Sequence, residues 1–338
     1  MPRIGLLLFL GLAMTTAEGP PPIKASSPPG GLLLVANKGD HTLGIIDPQQ
    51  SRQLATVEES GVTGHEVIAS PDGRTAYVPI YGDSGVGRPG TDGQTLDVID
   101  IASGRRLATI DFGRPERPHC PLFGTDGRLY VTTELTNTVT VIDPKTRQIV
   151  ERIPTGQPES HMLALTRDGK RAYTSNVGVG TVSAIDLVAR KVSAVIPVSG
   201  RAQRISLSLD DRWVFTADQT QPRLAVIDTA TNQLKEWVSL PGIAYGTAPT
   251  PDGRRLLITL LGVNGLGVLD LPSLKLSRTI NVPRTPQEVV VRPDGRFAYV
   301  SCDHSHQVAV VDLETWKVER LIEAGSLADG LAWAVARP

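Results

Sequence analysis

One spacing constrains this chain more than any other feature. His119, His161, Gln203, Tyr245, Gln287 and Asp329 each precede an apolar run, and they follow one another at intervals of 42 residues. His65 stands one unit earlier, 54 residues before His119, so its unit carries twelve extra residues. The unit Pro118–Gly156 shows what is repeated. Four short stretches, Cys120–Phe123, Leu129–Thr133, Thr138–Asp143 and Gln148–Ile153, are rich in β-branched and aromatic residues, and turn signals bound each one. Nothing between them is long enough for a helix. Four strands in a fixed period of about 40–45 residues are the signature of a β-propeller.

We name the strands of each unit a to d, from the centre outward. Strands a and b meet at Pro71-Asp72-Gly73, Thr125-Asp126-Gly127, Arg167-Asp168-Gly169, Leu209-Asp210-Asp211, Pro251-Asp252-Gly253 and Pro293-Asp294-Gly295. Asp-Gly supplies the positive φ of a tight hairpin, so these aspartates read as turn chemistry. Strand c ends on Asp47, Asp100, Asp143, Asp186, Asp228, Asp270 and Asp312, each placed to bond backbone N–H groups of the c–d turn. The first unit begins at Leu32 without a strand a, and the chain ends with Leu327–Ala336 without strands b to d. The two fragments complete each other, which predicts an all-β, seven-bladed propeller of four-stranded antiparallel blades. The C-terminal strand closes the ring and removes its free edges.

The second strands carry a resemblance. Tyr130-Val131-Thr132-Thr133, Tyr173-Thr174-Ser175-Asn176, Tyr299-Val300-Ser301-Cys302 and Leu34-Val35-Ala36-Asn37 match a Tyr-Val-Thr-Asn signature. With the Asp-Gly turns before it and Val-Ile-Asp after it, the chain resembles the YVTN-type seven-bladed propeller family over about residues 32–336. That resemblance implies the fold. It leaves function open, because related propellers include surface-layer proteins, lactonase-like hydrolases, lyases and electron-transfer subunits. The Glu, Asn and Asp metal ligands of the lactonase-like members have no residue-by-residue match here.

The ends and the charge bound the setting. Met1–Arg3 is a basic start, Ile4–Met14 is apolar, and Thr15–Ala17 offers small residues for a cut, which together read as a secretory signal cleaved after Ala17. The apolar run falls short of the roughly 20 residues that span a bilayer. The expected organisation is residues 1–17 signal peptide, 18–31 Pro-rich disordered leader and 32–338 one propeller, periplasmic or secreted and free of the membrane after cleavage. A formal net charge of −1 gives no electrostatic footprint for nucleic acid. A monomer is expected. Cys120 and Cys302 lie in the third and seventh units, across the ring, so no bridge between them is expected.

In a propeller the d–a connections and b–c hairpins emerge on one face, and the structural turns on the other. All six histidines fall on the first face. His65, His119 and His161 begin strand a in successive blades. His41 lies in the b–c hairpin of blade 1, and His304 and His306 lie in that of blade 7. The strand-a starts should surround the channel mouth. Three adjacent imidazoles suit one transition-metal ion, zinc, copper or iron, with Asp329 as fourth ligand or base and Glu66 as a further catalytic candidate. The bland alternative is a set of polar residues that hold water or one another. Gln203, Tyr245, Gln287 and Arg204 are the expected ligand-binding residues on the rest of the mouth. Glu66 and Glu288 are placed either to orient the ring histidines or to pair with Arg204, and structural pairing is the expected role. Cys120 reads as a small filler. Cys302-Asp303-His304-Ser305-His306 is a second, weaker metal candidate beside its reading as a solvated hairpin. The insertion Tyr81–Gln94 is either a lid over the mouth or a surface loop.

The chain has no Cys-x-x-Cys-His, no phosphate loop before a helix and no Gly-x-Ser-x-Gly. The expectation drawn is no haem and no nucleotide. Two classes of function follow: a module that binds a small molecule or protein on its histidine face, down to a scaffold with no catalysis, or a metal-dependent hydrolase, lyase or oxidoreductase.

Overall fold

The computed structural model describes residues 30–336. The expected signal peptide and all but the last two residues of the leader lie outside the described residues. Seven four-stranded antiparallel sheets form the blades. Blade 1 pairs Ala328–Ala334 with Leu32–Asn37, followed by Thr42–Asp47 and Arg52–Glu58. The C-terminal strand therefore fills the inner place of the first blade, with Leu33 opposite Trp333 and Val35 opposite Leu331. Trp333 is half-buried against the core and stacks on Tyr299 with centroids 5.5 Å apart.

The repeated sequence features have repeated roles. The aspartates that end strand c cap the next turn: Asp47 accepts from the N–H groups of Gln49 and Gln50, Asp186 from Val188 and Ala189, and Asp312 from Glu314 and Thr315. A register shift separates strands c and d at the same place in every blade, for instance between Val141 and Ile142 and between Val310 and Val311. Such a bulge adds twist, and the blades of a propeller are strongly twisted. On the exposed outer strands one residue is buried each time: Val57, Ile110, Ile153, Ile196, Val238, Ile280 and Ile322. It anchors a strand that is otherwise half in water.

The third residue of the Tyr-Val-Thr-Asn signature pins the mouth. Its hydroxyl donates to the carbonyl of the strand-a start one blade further on: Thr132 to His161 at 2.6 Å, Thr259 to Gln287 at 2.7 Å, Ser301 to Asp329 at 2.6 Å, and Ser175 to Gln203. Ala36, Pro79 and Ala217 stand at that position in blades 1, 2 and 5 and cannot donate. The inner strand of blade 2 is short, Ile68–Ala69, and His65 precedes it rather than beginning it. Its carbonyl instead accepts the N–H of Gly330 at 2.9 Å. Cys120 and Cys302 are buried and free. Among the described residues no helix is long and apolar enough to cross a membrane.

Candidate functional site

The channel mouth divides into two unlike halves. On one side His65, Tyr81, His119 and His161 pack as four rings. His119 stacks on His161 with centroids 3.7 Å apart, and His65 meets His119 edge-on at 5.7 Å. Tyr81 lies against all three, 4.7 Å from His65, 4.9 Å from His119 and 5.8 Å from His161. Glu134, buried in the b–c corner of blade 3, organises the group. Its Oε2 accepts from the Tyr81 hydroxyl at 2.8 Å and lies 3.1 Å from Nδ1 of His161. Arg117 adds a bond to its Oε1 at 3.3 Å. Burial alone would raise the Glu134 carboxyl, but the His161 and Tyr81 bonds and the Arg117 charge hold it below the usual carboxylate range.

Two rings of this half, His65 and His119, are lowered towards the neutral form. Burial pushes His65 down to about 3, and neighbouring Lys38, His161 and Arg204 add to it against the pull of Asp329. His119 is lowered further by burial and by His161 and His65, and its Nδ1 is buried without a partner. Burial also raises the Cys120 thiol, which stays protonated and inert.

The opposite half is ionic. Arg204, almost wholly buried, donates from Nη1 to Glu66 and to Glu288 at 2.7 Å, and from Nη2 to Asp329 at 3.2 Å. Lys38 bonds the other Asp329 oxygen at 3.1 Å. The Arg204 guanidinium lies over the Tyr245 ring, 4.6 Å from its centroid, and Gln203 reaches the Tyr245 hydroxyl at 3.5 Å. Burial pushes Glu66 up to about 8, with Glu288 and Asp329 adding and Arg204 opposing. Asp329 is held low despite burial by Lys38 and Arg204.

A cavity of about 400 Å³ opens beside the two halves. His65 and Lys38 line it with His41 and Thr63, and Asp83–Gly85 of the insertion wall it in. Its size lies toward the lower end of the range for small-molecule pockets.

The residues expected at the mouth lie there, with contacts that differ in part from those expected. The pairing of Glu66 and Glu288 with Arg204 is present. Asp329 joins that cluster rather than the histidines. His65, His119 and His161 do adjoin, yet they are not arranged around a shared ion. An imidazole lone pair lies in the ring plane, so two stacked rings aim theirs along near-parallel planes rather than at one point. Among the described residues no group of three or more His, Cys, Asp or Glu is placed to hold a metal ion. The second candidate also separates, with Cys302 buried and His304 and His306 exposed in their hairpin. Glu134, Tyr81 and Arg117 were missed. Their contact joins three separate stretches of chain, and a buried carboxylate in a polar corner leaves no mark in sequence.

The family model of the cytochrome D1 heme domain matches residues 123–325, more than half of the chain, and the chain belongs to that family. The match takes in His161, Gln203, Tyr245 and Gln287 and begins after His65 and His119. No curated protein matches the chain. Among solved structures, the fold is similar to that of a chain of Kuenenia stuttgartiensis hydrazine synthase, with a TM-score of 0.73 at 20% identity, covering 89% of this chain and 99% of that one. The resemblance to YVTN-type propellers thus holds at the level of the seven-bladed fold, while the family matched is that of the heme domain.

This match corrects the expectation of no haem. That expectation rested on the missing Cys-x-x-Cys-His, which serves covalent attachment through two thiols. A haem held by an axial side chain and pocket contacts leaves no such motif. What the cavity offers such a group is one axial donor. His65 offers an imidazole that burial keeps neutral, the protonation state a metal requires, on the wall of a cavity that also carries the Lys38 ammonium.

Proposed function

We propose that this propeller binds a haem-type tetrapyrrole on its histidine face, with His65 as the residue that would hold the iron. The observation that carries this reading is the position of His65: a neutral imidazole, partly open, lining a cavity in a chain of the cytochrome D1 heme domain family. His119 and His161 are buried and serve as the packed floor behind it. Lys38 is placed to meet an acidic edge group of the ligand, at the cost of sharing its charge with Asp329. A bound haem would supply an iron centre whose redox and ligand chemistry is tuned by the axial donor. The chain's own residues supply the donor, its neutral state and a wall against water. The basic start and the apolar run Ile4–Met14 support export to the periplasm or beyond.

The test is a hemin titration of protein purified without a histidine tag, followed by the Soret band. One equivalent is expected to bind. His65→Ala should weaken binding by at least about tenfold, or 1.4 kcal/mol. His41→Ala, which alters an exposed ring on the same cavity, should change it by less than about twofold. Equal binding by wild type and His65→Ala would overturn the assignment of His65, and absence of stoichiometric binding would overturn the ligand.

A further inference from the structure

The insertion between strands b and c of blade 2 invites the idea of a mobile lid, but its bonds describe a braced wall. Arg117, buried in the connection from blade 2 to blade 3, reaches it three times. Its Nε donates to Asp92 at 2.6 Å, and its Nη2 to Ser84 Oγ at 2.9 Å and to the Arg88 carbonyl at 2.7 Å. The remaining nitrogen, Nη1, donates to Glu134, the carboxylate that also holds Tyr81 and His161. The feet of the insertion are fixed as well. The N–H groups of Tyr81 and Gly82 donate to the Thr63 carbonyl, and those of Glu116 and Arg117 donate to the Gly93 carbonyl. Gly93 passes so near the chain that a Cβ there would lie 1.8 Å from the Ile80 carbonyl oxygen. Arg117 holds this place with φ of 49°, a left-handed conformation that a non-glycine residue adopts at a cost.

We propose that Arg117 and Glu134 form one brace that makes the insertion a rigid wall of the cavity and ties its position to the setting of His65. Neither residue lines the cavity. They act as positioning residues: Arg117 sets the strip Asp83–Gly85, and Glu134 sets Tyr81, whose ring supports His65. The cavity is then selective because its far wall cannot yield, and a planar ligand enters only if its edge fits between that strip and the His41 hairpin. The identity of the ligand rests on the reading above; the rigidity of the wall does not.

Two ligand-free measurements and one with hemin test this. In Arg117→Met, amide exchange within residues 83–92 should quicken by about tenfold or more while blade 5 is unchanged, since local opening sets such rates. The ring signals of His65 in NMR spectra should shift. Asp92→Asn, which takes the charge from one bond of the brace and disturbs no core, should show the same effects at reduced size. Hemin affinity should fall in the order wild type, Asp92→Asn, Arg117→Met. Unchanged exchange across 83–92 in both variants would overturn the rigid wall. Faster exchange with an unmoved His65 signal, or with hemin bound as tightly as in wild type, would overturn the positioning role. If wild type itself takes no hemin, the ligand reading fails, and the exchange and NMR results still decide the brace.

Discussion

The two halves of the channel mouth begin from the same place in the same repeat and solve burial in opposite ways. Burial lowers His65 and His119 towards the neutral form, and the rings of His65, His119 and His161 pack together. Arg204, Asp329 and Lys38 pair as charges, and Glu66 and Glu288, both raised by burial, bond the same guanidinium. The difference follows from neighbours rather than from the fold. A histidine can shed its proton at modest cost, and three together repel any charge that one of them takes up. A guanidinium cannot be deprotonated, so a buried Arg204 must gather carboxylates. The lesson is that the ring supplies equivalent sites, and residue chemistry decides which become a neutral donor surface and which a structural plug. The proposed donor, His65, lies on the neutral side.

The largest effect is expected from Arg204→Met. It leaves Glu66 and Glu288 without their cation and Asp329 with Lys38 alone, and removing one partner of a buried pair costs about 3–5 kcal/mol. Urea unfolding would measure this, and a loss within about 0.5 kcal/mol would show that the plug carries little. Glu134→Ala comes next. It leaves the Tyr81 hydroxyl and a buried arm of Arg117 unsatisfied, for about 1–3 kcal/mol in the same measurement. The smallest and sharpest contrast is in pH. His65 is pushed from 6.5 to about 3, so between those values the unfolded chain takes a proton that the native one refuses, and stability falls as the solution is acidified. His119 acts in the same direction. Glu66 is raised from 4.5 to about 8, so the native chain keeps a proton that the unfolded one releases, and stability falls as pH rises through that window. His119→Phe should flatten the acid side of the stability profile, and Glu66→Gln the alkaline side. Profiles that change on the same side for both would break the division into two halves.

Much of the molecule was legible before the structure. The interval of 42 residues gave the blades, the seven aspartates gave the c–d turns, and the mismatched ends gave ring closure through Ala328–Ala334. Periodic features are legible because each copy confirms the others. The partnership of Glu66 and Glu288 with Arg204 was legible for the same reason, since all three occupy one register position. What breaks the repeat was not. Tyr81 stands where the insertion begins, Arg117 lies in a connection and Glu134 lies in a corner, and only the closed ring brings them together. Ring orientation was illegible too. Spacing showed that His119 and His161 adjoin, but not that they stack rather than converge. Haem was not expected because a haem held without thiol attachment leaves no Cys-x-x-Cys-His spacing to find.

The central claim, that His65 gives its ring nitrogen to an iron-bearing ligand, is tested most directly by chemical rescue. Hemin-loaded wild type, His65→Ala, and His65→Ala with added imidazole would be compared by electron paramagnetic resonance and Soret absorption. The account predicts that the signature of nitrogen ligation is lost in His65→Ala and restored by imidazole, while His41→Ala keeps it throughout. A His65→Ala complex with the wild-type spectrum, untouched by imidazole, would contradict it.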